Sequence, residues 1–214
     1  MIKIHYFTFN PFQENTYVLS DETGEAVIID PGCYDKQERE ELSDYIHTRG
    51  LEVKLLLNTH GHIDHVLGND FVKNTYKVPF WIGEHDLTTL KAVETYASNY
   101  GFPTYQHTDP DAFLKEGDTV KFGNSKLSVV FVPGHAAGHI AFFNTEQRFC
   151  IGGDVLFRQS IGRTDLPGGH YDTLIESIHT KFFTMPDDMV VYPGHGPETT
   201  IAFEKAHNPF CAIK

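Results

Sequence analysis

The chain is poor in cysteine, poor in basic residues relative to acidic ones, and free of long apolar runs. Its three cysteines are Cys33, Cys150 and Cys211. An odd, low count with no close pairing motif gives no disulfide framework for a small secreted fold. Cys150, within Arg148-Phe149-Cys150-Ile151, reads as a small core hydrophobe. Lys and Arg number 17 against 29 Asp and Glu, a net charge of −12 with His neutral. Such a balance does not suit a phosphate backbone, so no nucleic acid partner is expected. No apolar stretch approaches the roughly 20 residues that a membrane helix needs, so no membrane association is expected. The opening Met1–Phe7 lacks a basic segment followed by an unbroken apolar one, so no secretory leader is expected. A cytoplasmic location follows as the expectation.

With 214 residues, 40% of them hydrophobic, the chain has enough apolar material for a sizeable core. One domain over residues 1–214 is the expected organisation. Residues 2–9, Thr16–Leu19 and Glu25–Asp30 read as strands, the last two joined by the turn Asp21-Glu22-Thr23-Gly24. Residues 36–49 place Leu42, Tyr45 and Ile46 at helical spacing, with Arg49-Gly50 as the stop. A strand at 53–57, a helix at 66–76, a strand at 78–82 and a helix at 84–96 follow. Residues 99–116 read as irregular, a loop over a site. In the second half, strands at 119–122, 127–132, 140–143, 148–151 and 189–192 surround a helix at 172–183. Strands in both halves, each set followed by helices, predict two packed sheets with helices on the outer faces.

The chemistry concentrates in Thr59-His60-Gly61-His62-Ile63-Asp64-His65, a loop after a strand. Imidazoles and a carboxylate at this density are the side chains that hold zinc and similar metals. Three more strand ends carry His or Asp beside glycine: Pro133-Gly134-His135, Gly153-Asp154 and Pro193-Gly194-His195. Three histidines can make one metal site, and two histidines with Asp64 a second, with Asp154 as the natural bridge because a carboxylate has two oxygens. Two metals roughly 3.5–4 Å apart supply hydroxide at neutral pH and polarise a carbonyl or phosphoryl oxygen.

His60-Gly61-His62-Ile63-Asp64-His65, followed in order by His135, Asp154 and His195, resembles the metallo-β-lactamase-fold signature. The resemblance covers nearly the whole chain and implies an α/β fold, a four-layer αβ/βα sandwich with its metal site at one edge. Gly153-Asp154-Val155-Leu156-Phe157 and Pro193-Gly194-His195-Gly196-Pro197-Glu198-Thr199 look like glyoxalase II, the hydroxyacylglutathione hydrolases. Gly162-Arg163-Thr164-Asp165 and the ending His207-Asn208-Pro209-Phe210 look like its short bacterial form. By that resemblance His60, His62 and His135 hold one metal, Asp64, His65 and His195 a second, and Asp154 bridges. The metals implied are two divalent ions, zinc first, with iron or manganese as alternatives. Asp64 would also orient the hydroxide that attacks a thioester such as S-lactoylglutathione, a small anionic substrate that Arg163 would anchor. The longer enzymes carry a C-terminal helical domain that binds glutathione, and no counterpart to it is expected in this chain.

Several residues have plainer readings. Asp30, in Asp30-Pro31-Gly32, reads equally as a group orienting a ligand and as a turn acid. Arg163 reads as a substrate anchor or as the partner of Asp165. Asp64 also fits a helix N-cap. His139 is expected to be structural, His85 to belong to a polar cluster at a helix start, and Tyr100, Tyr105 and His170 to lie near the pocket by loop position. A competing function is persulfide dioxygenase, which shares the fold and a Gly-Arg-Thr-Asp segment like Gly162–Asp165. It would hold a single iron on His60, His135 and Asp154. That family replaces the Gly194–Pro197 segment and has a Cys where this chain has Ile161. Ribonuclease and β-lactamase form a third class. The acidic charge counts mildly against the first, and β-lactamases usually replace one residue of the Asp64-His65 pair.

Overall fold

Val27, Ile28 and Ile29 are all fully buried within one short strand. Side chains alternate between the faces of a strand, so both faces of that sheet must be covered. The computed structural model, which describes residues 1–213, shows two six-stranded sheets packed face to face. The first has the order β1-β2-β3-β4-β5-β6: Lys3–Phe9, Glu14–Ser20, Glu25–Ile29, Glu52–Leu57, Phe80–Gly83 and Ala112–Leu114. β1 to β3 are antiparallel, and β3 to β6 are parallel. Parallel neighbours require crossovers. These are α1 (Lys36–Thr48), then α2 (Ile63–Val66) with α3 (Asn69–Tyr76), then α4 (Leu87–Tyr96) with a 3-10 turn at Ala97–Tyr100.

The second sheet contains β7 (Thr119–Phe122), β8 (Ser125–Phe131), β9 (Ile140–Asn144) and β10 (Phe149–Gly153). After the small hairpin of β11 (Leu156–Phe157) and β12 (Ser160–Ile161) come α5 (Tyr171–Ser177), a wide turn at Ile178–Phe182 and β13 (Val190–Pro193). β14 (Thr199–Thr200) and α6 (Ile201–His207) complete the elements, and the sheet order is β14-β13-β10-β9-β8-β7.

Three apolar layers follow from the alternation. Leu19, Val27, Ile29, Leu55 and Leu57 face Val129, Phe142 and Ile151 between the sheets. Val18, Ile28, Leu56 and Phe80 point the other way, onto Leu42, Val72 and Leu90 of the first helical layer. Ala141, Phe143, Cys150 and Val191 pack on Leu174, Ile178 and Phe182 of the second. The four-layer sandwich expected from the sequence is the observed fold. Truncating a central residue such as Leu57, which is fully buried, would cost about 2–5 kcal/mol. Among the described residues no helix is long and apolar enough to cross a membrane.

Local differences have local causes. The helix expected over 66–76 is two helices, because the Gly68 N–H leaves the helical path to bond the Pro31 carbonyl at 2.7 Å. α2 also begins earlier, so Asp64 and His65 are helical, and His62 rather than Asp64 occupies the N-cap position. Part of the expected irregular stretch is β6, a three-residue edge strand too short to show periodicity. The Asp111 carboxylate holds it by accepting from the Phe80 N–H at 2.8 Å. The helix expected over 172–183 keeps regular form only to Ser177. β14 and α6 went unread because two strand residues and seven helical ones carry little pattern of their own. The Thr200 side chain caps α6 by accepting from the Phe203 N–H.

Candidate metal centre

Four strands end at one edge of the sandwich, and each delivers a potential ligand. β4 runs into Thr59 and His60, β8 into His135, β10 into Asp154, and β13 into His195. Backbone bonds lace the two sheets together here, from Ile140 N–H to Thr59 O at 2.9 Å and from Asn15 N–H to Gly194 O at 2.7 Å. Two glycines permit the approach. Gly153 has a φ of +51°, and a Cβ on it would sit 2.6 Å from the His139 ring. A Cβ on Gly194 would lie 2.1 Å from Asp154 Oδ1.

His60, His62 and His135 form a first group. His135 Nε2 is 3.3 Å from His60 Nε2 and 2.8 Å from His62 Nδ1. Metal–nitrogen bonds of the usual length, set tetrahedrally, place ligand nitrogens about 3.3 Å apart, so the group is near the spacing a single ion needs. Burial holds His60 well below its ordinary pKa, and burial with the nearby His135 ring takes His62 to about 3. Both rings therefore stay neutral with lone pairs free.

Asp64, His65 and His195 form a second group. His195 Nε2 lies 3.1 Å from Asp64 Oδ2, and His65 Nε2 lies 3.7 Å from the same oxygen. Asp154 faces both groups: Oδ2 is 3.5 Å from His135 Nε2 and 3.5 Å from His195 Nε2, while Oδ1 is 3.4 Å from His65 Nε2. Here the electrostatics reverse. Burial pulls His195 down, but the Asp154 and Asp64 carboxylates outweigh it and push the ring up to about 10. His65 moves well above its ordinary value against the same burial, driven by Asp154 and Asp64. Burial in turn opposes ionisation of Asp154, yet the facing His65 and His195 hold its pKa well below the carboxylate range. The two carboxylates thus demand positive charge, supplied either by protonated imidazoles or by a cation.

His65 Nε2 and Asp154 Oδ1 are buried without a hydrogen-bond partner. Leaving two such atoms unsatisfied costs about 1–3 kcal/mol each, and a cation between them would satisfy both. The donor set, nitrogen-rich on one side and carboxylate-rich on the other, fits two divalent metals.

The rings are held from behind. His60 Nδ1 meets Thr59 Oγ1 at 3.0 Å, His65 Nδ1 meets Asp30 Oδ2 at 3.1 Å, and His135 Nδ1 meets the Arg163 carbonyl at 2.8 Å. His195 Nδ1 meets the carbonyls of Phe12 and Gln13 at 3.1 and 3.2 Å. Donating Nδ1–H to oxygen leaves Nε2 free to act as a ligand on each of these rings. Asp30 is thereby resolved as an orienting group rather than a bare turn acid. It also accepts from the Thr59 N–H at 2.7 Å and the Thr59 hydroxyl at 2.6 Å. His139 is structural as expected: its Nε2 accepts from the Asp154 N–H at 3.0 Å, and its ring stacks on His60.

Four supporting residues had escaped the sequence reading. Asp86 is fully buried and accepts from the Gly61 N–H, from the Gly138 N–H at 3.0 Å and from Thr89 Oγ1 at 2.9 Å. It clamps the loop of His60 and His62 to the loop of His135. Glu14 is fully buried; its Oε2 accepts from Thr16 Oγ1 at 2.9 Å, and its Oε1 stands 3.8 Å from His65 Nδ1. Asn10 Nδ2 donates to the Asp64 carbonyl at 3.0 Å, and Asn15 Nδ2 donates to the Pro193 and Gly196 carbonyls at 3.1 and 2.8 Å. The turn between β1 and β2 thus touches all three members of the second group. The only sequence signal was a cluster of Asn and Glu at a strand break. Two acids, Glu14 and Asp30, thus stand behind His65.

A cleft of about 910 Å³ opens over the centre. It is lined by His62, Asp64, His135, Asp154 and His195, by α4, and by the β11–β12 hairpin with the loop after it. Arg163 lies on this cleft and is also the partner of Asp165, which it grips through two bonds of 2.7 and 2.8 Å. Tyr100 and His85 line the cleft as well. Tyr105 does not: it packs against the first helical layer. His170 caps α5, accepting from the Thr173 N–H.

The sequence matches the metallo-beta-lactamase superfamily over residues 9–195. It is 38% identical over 215 residues to the hydroxyacylglutathione hydrolase GloC of Haemophilus influenzae, covering 100% of both chains. Among solved structures, the BLEG-1 B3 metallo-beta-lactamase superposes with a TM-score of 0.86 at 33% identity, covering 100% of both chains. TTHA1623 in a di-iron-bound form gives 0.86 at 35% identity, covering 96% of this chain and 99% of that one.

Proposed function

The chain belongs to the metallo-β-lactamase superfamily as one of its metallo-hydrolases, and we propose that it cleaves thioesters, S-lactoylglutathione being the first to test. In this reading His60, His62 and His135 hold one divalent metal, Asp64, His65 and His195 hold another, and Asp154 reaches both. Zinc is the metal of first choice for so nitrogen-rich a set; the di-iron form of TTHA1623 makes iron the alternative. The observation that carries the reading is Asp154, whose carboxylate lies 3.4–3.5 Å from imidazoles of both groups.

Bound metals lower the pKa of water from about 16 to about 7 and polarise a carbonyl oxygen. The protein's own residues supply the rest. Asp64 lines the cleft, and although burial opposes its ionisation, His65 and His195 keep its pKa below the ordinary value. It is therefore a carboxylate able to accept a hydrogen bond from the attacking water and set its direction. A thiolate leaves without a strong acid, and among the described residues the only carboxyl groups lining the cleft are Asp64 and Asp154. Glu14 and Asp30 do not line it. A single iron on His60, His135 and Asp154 would leave the complete set of Asp64, His65 and His195 without a task.

The test joins metal analysis to turnover. Two equivalents of metal with thiol release from S-lactoylglutathione support the proposal. One iron with oxygen uptake on glutathione persulfide replaces it, and a β-lactam serves as the control because a B3 metallo-beta-lactamase shares this fold. Asp154→Ala should leave at most one metal equivalent and no measurable activity. Two equivalents and near-normal rates in that variant would remove Asp154 from its bridging place.

A further inference from the structure

Away from the metal-binding side chains, the cleft has a chemistry of its own. Its walls are largely apolar, with Phe12, Ala92, Tyr96, Phe157, Ile161 and Leu166 among them. Large aromatic surfaces are left open at its mouth: Phe12 is 40% exposed and Tyr100 56% exposed. These two rings lie 6.4 Å apart between centroids, and Tyr96 lies 5.4 Å from Tyr100, so the aromatic surface is continuous from α4 to the β1–β2 turn. Among the described residues the one Lys or Arg lining the cleft is Arg163, and Asp165 already grips its guanidinium on two nitrogens. The pair is neutral as a unit. A glutathione moiety brings two carboxylates and an ammonium, and among the described residues these walls offer no unpaired guanidinium or ammonium to receive the carboxylates. A lactoyl group has only a few heavy atoms and fills a small part of about 910 Å³.

We propose, on the basis of the thioester reading, that the cleft selects thioesters carrying an extended apolar group. An alkyl chain of about four to eight carbons or an aryl ring would cover the exposed aromatic wall and release its water. The reaction is unchanged: water oxygen bonds to the carbonyl carbon, the C–S bond breaks, and the products are a carboxylic acid and a thiol. The selectivity comes from burial. Each methylene removed from water favours binding by about fourfold, provided the wall contacts the chain in the transition state as well as before it.

The apolar group can stand on either side of the scissile bond, so the experiment has two arms. One measures kcat/KM for glutathione thioesters from acetyl to octanoyl. The other measures acetyl thioesters of thiols from ethanethiol to hexanethiol. The expected result is a rise of roughly threefold to fourfold per methylene in one arm, which identifies the side the cleft holds. Tyr96→Ala should flatten that slope while two metal equivalents remain. Leu166→Ser, on a partly exposed loop, repeats the test at a position tolerant of change. A readout without turnover is the affinity of the thioethers S-methylglutathione and S-hexylglutathione, expected to differ by more than tenfold. Flat slopes in both arms and equal thioether affinities, with S-lactoylglutathione still hydrolysed, would overturn the apolar selectivity and leave the thioester reading standing. A two-metal protein that hydrolyses no thioester would overturn that reading itself, and the selectivity with it.

Discussion

Replacing Asp86 by alanine should damage both the fold and the first metal group, and the size of the effect can be worked from its contacts. The carboxylate accepts three hydrogen bonds, two of them from the backbone amides of Gly61 and Gly138. Both glycines are buried, so alanine leaves two amides without partners. Each orphaned donor costs about 1–3 kcal/mol. Allowing some relaxation, the variant should lose about 2–5 kcal/mol. For a chain of this length, 1 kcal/mol corresponds to about 2–4 °C in Tm, so a fall of about 4–20 °C is expected. Unfolding should be followed on metal-free protein, since bound metal adds its own stabilisation by mass action. The same clamp sets His60 and His62 against His135, so affinity for the first metal should fall by about tenfold or more. Asp86→Asn is the informative control. Its carbonyl can serve one amide, but its NH2 group faces the other, so about half the loss should remain. A loss below about 1 kcal/mol for the alanine variant, or wild-type behaviour for the asparagine one, would refute the reasoning.

Asn10→Ala removes the donor to the Asp64 carbonyl. It should lower retention of the second metal by about tenfold on dialysis and spare the first; equal loss of both metals would show that the turn does not serve the second group. Asp21 ties the β2–β3 turn to the β7–β8 turn, accepting from Thr23, Asn124 and Ser125. Its burial would raise its pKa, but these donors outweigh burial and hold it at about 2. A depressed folded pKa means stability that is complete above the ordinary carboxylate value and is lost as pH falls through about 2. Asp21→Asn should therefore remove that part of the acid sensitivity between about pH 4 and pH 2, as read by urea unfolding across this range. A curve parallel to wild type would contradict it.

The candidate ligand set was legible because metal chemistry writes itself locally. His60, His62, Asp64 and His65 lie within one short loop, and no arrangement of the remaining chain could separate them. The layered architecture was legible for a related reason: continuous apolar runs such as Val27-Ile28-Ile29 require two covered faces wherever they fold. Asp30 was undecided between two roles because its decisive partners, His65 and Thr59, lie some thirty residues along the chain. Glu14 and Asp86 were passed over altogether. A carboxylate at a strand break or a helix start is ordinarily a solvated group, and only the packing of distant loops around these two removes the water. Arg163 combines both possibilities, lying on the cleft with its guanidinium held by Asp165. Residue type and short spacing determined which side chains could bind metal. Which nitrogen of each ring faces the centre, which acids stand behind it, and how apolar the cleft above it is were decided only in three dimensions. Those features depend on groups brought together across sheet edges, and a contact of that kind leaves no periodic trace in the chain.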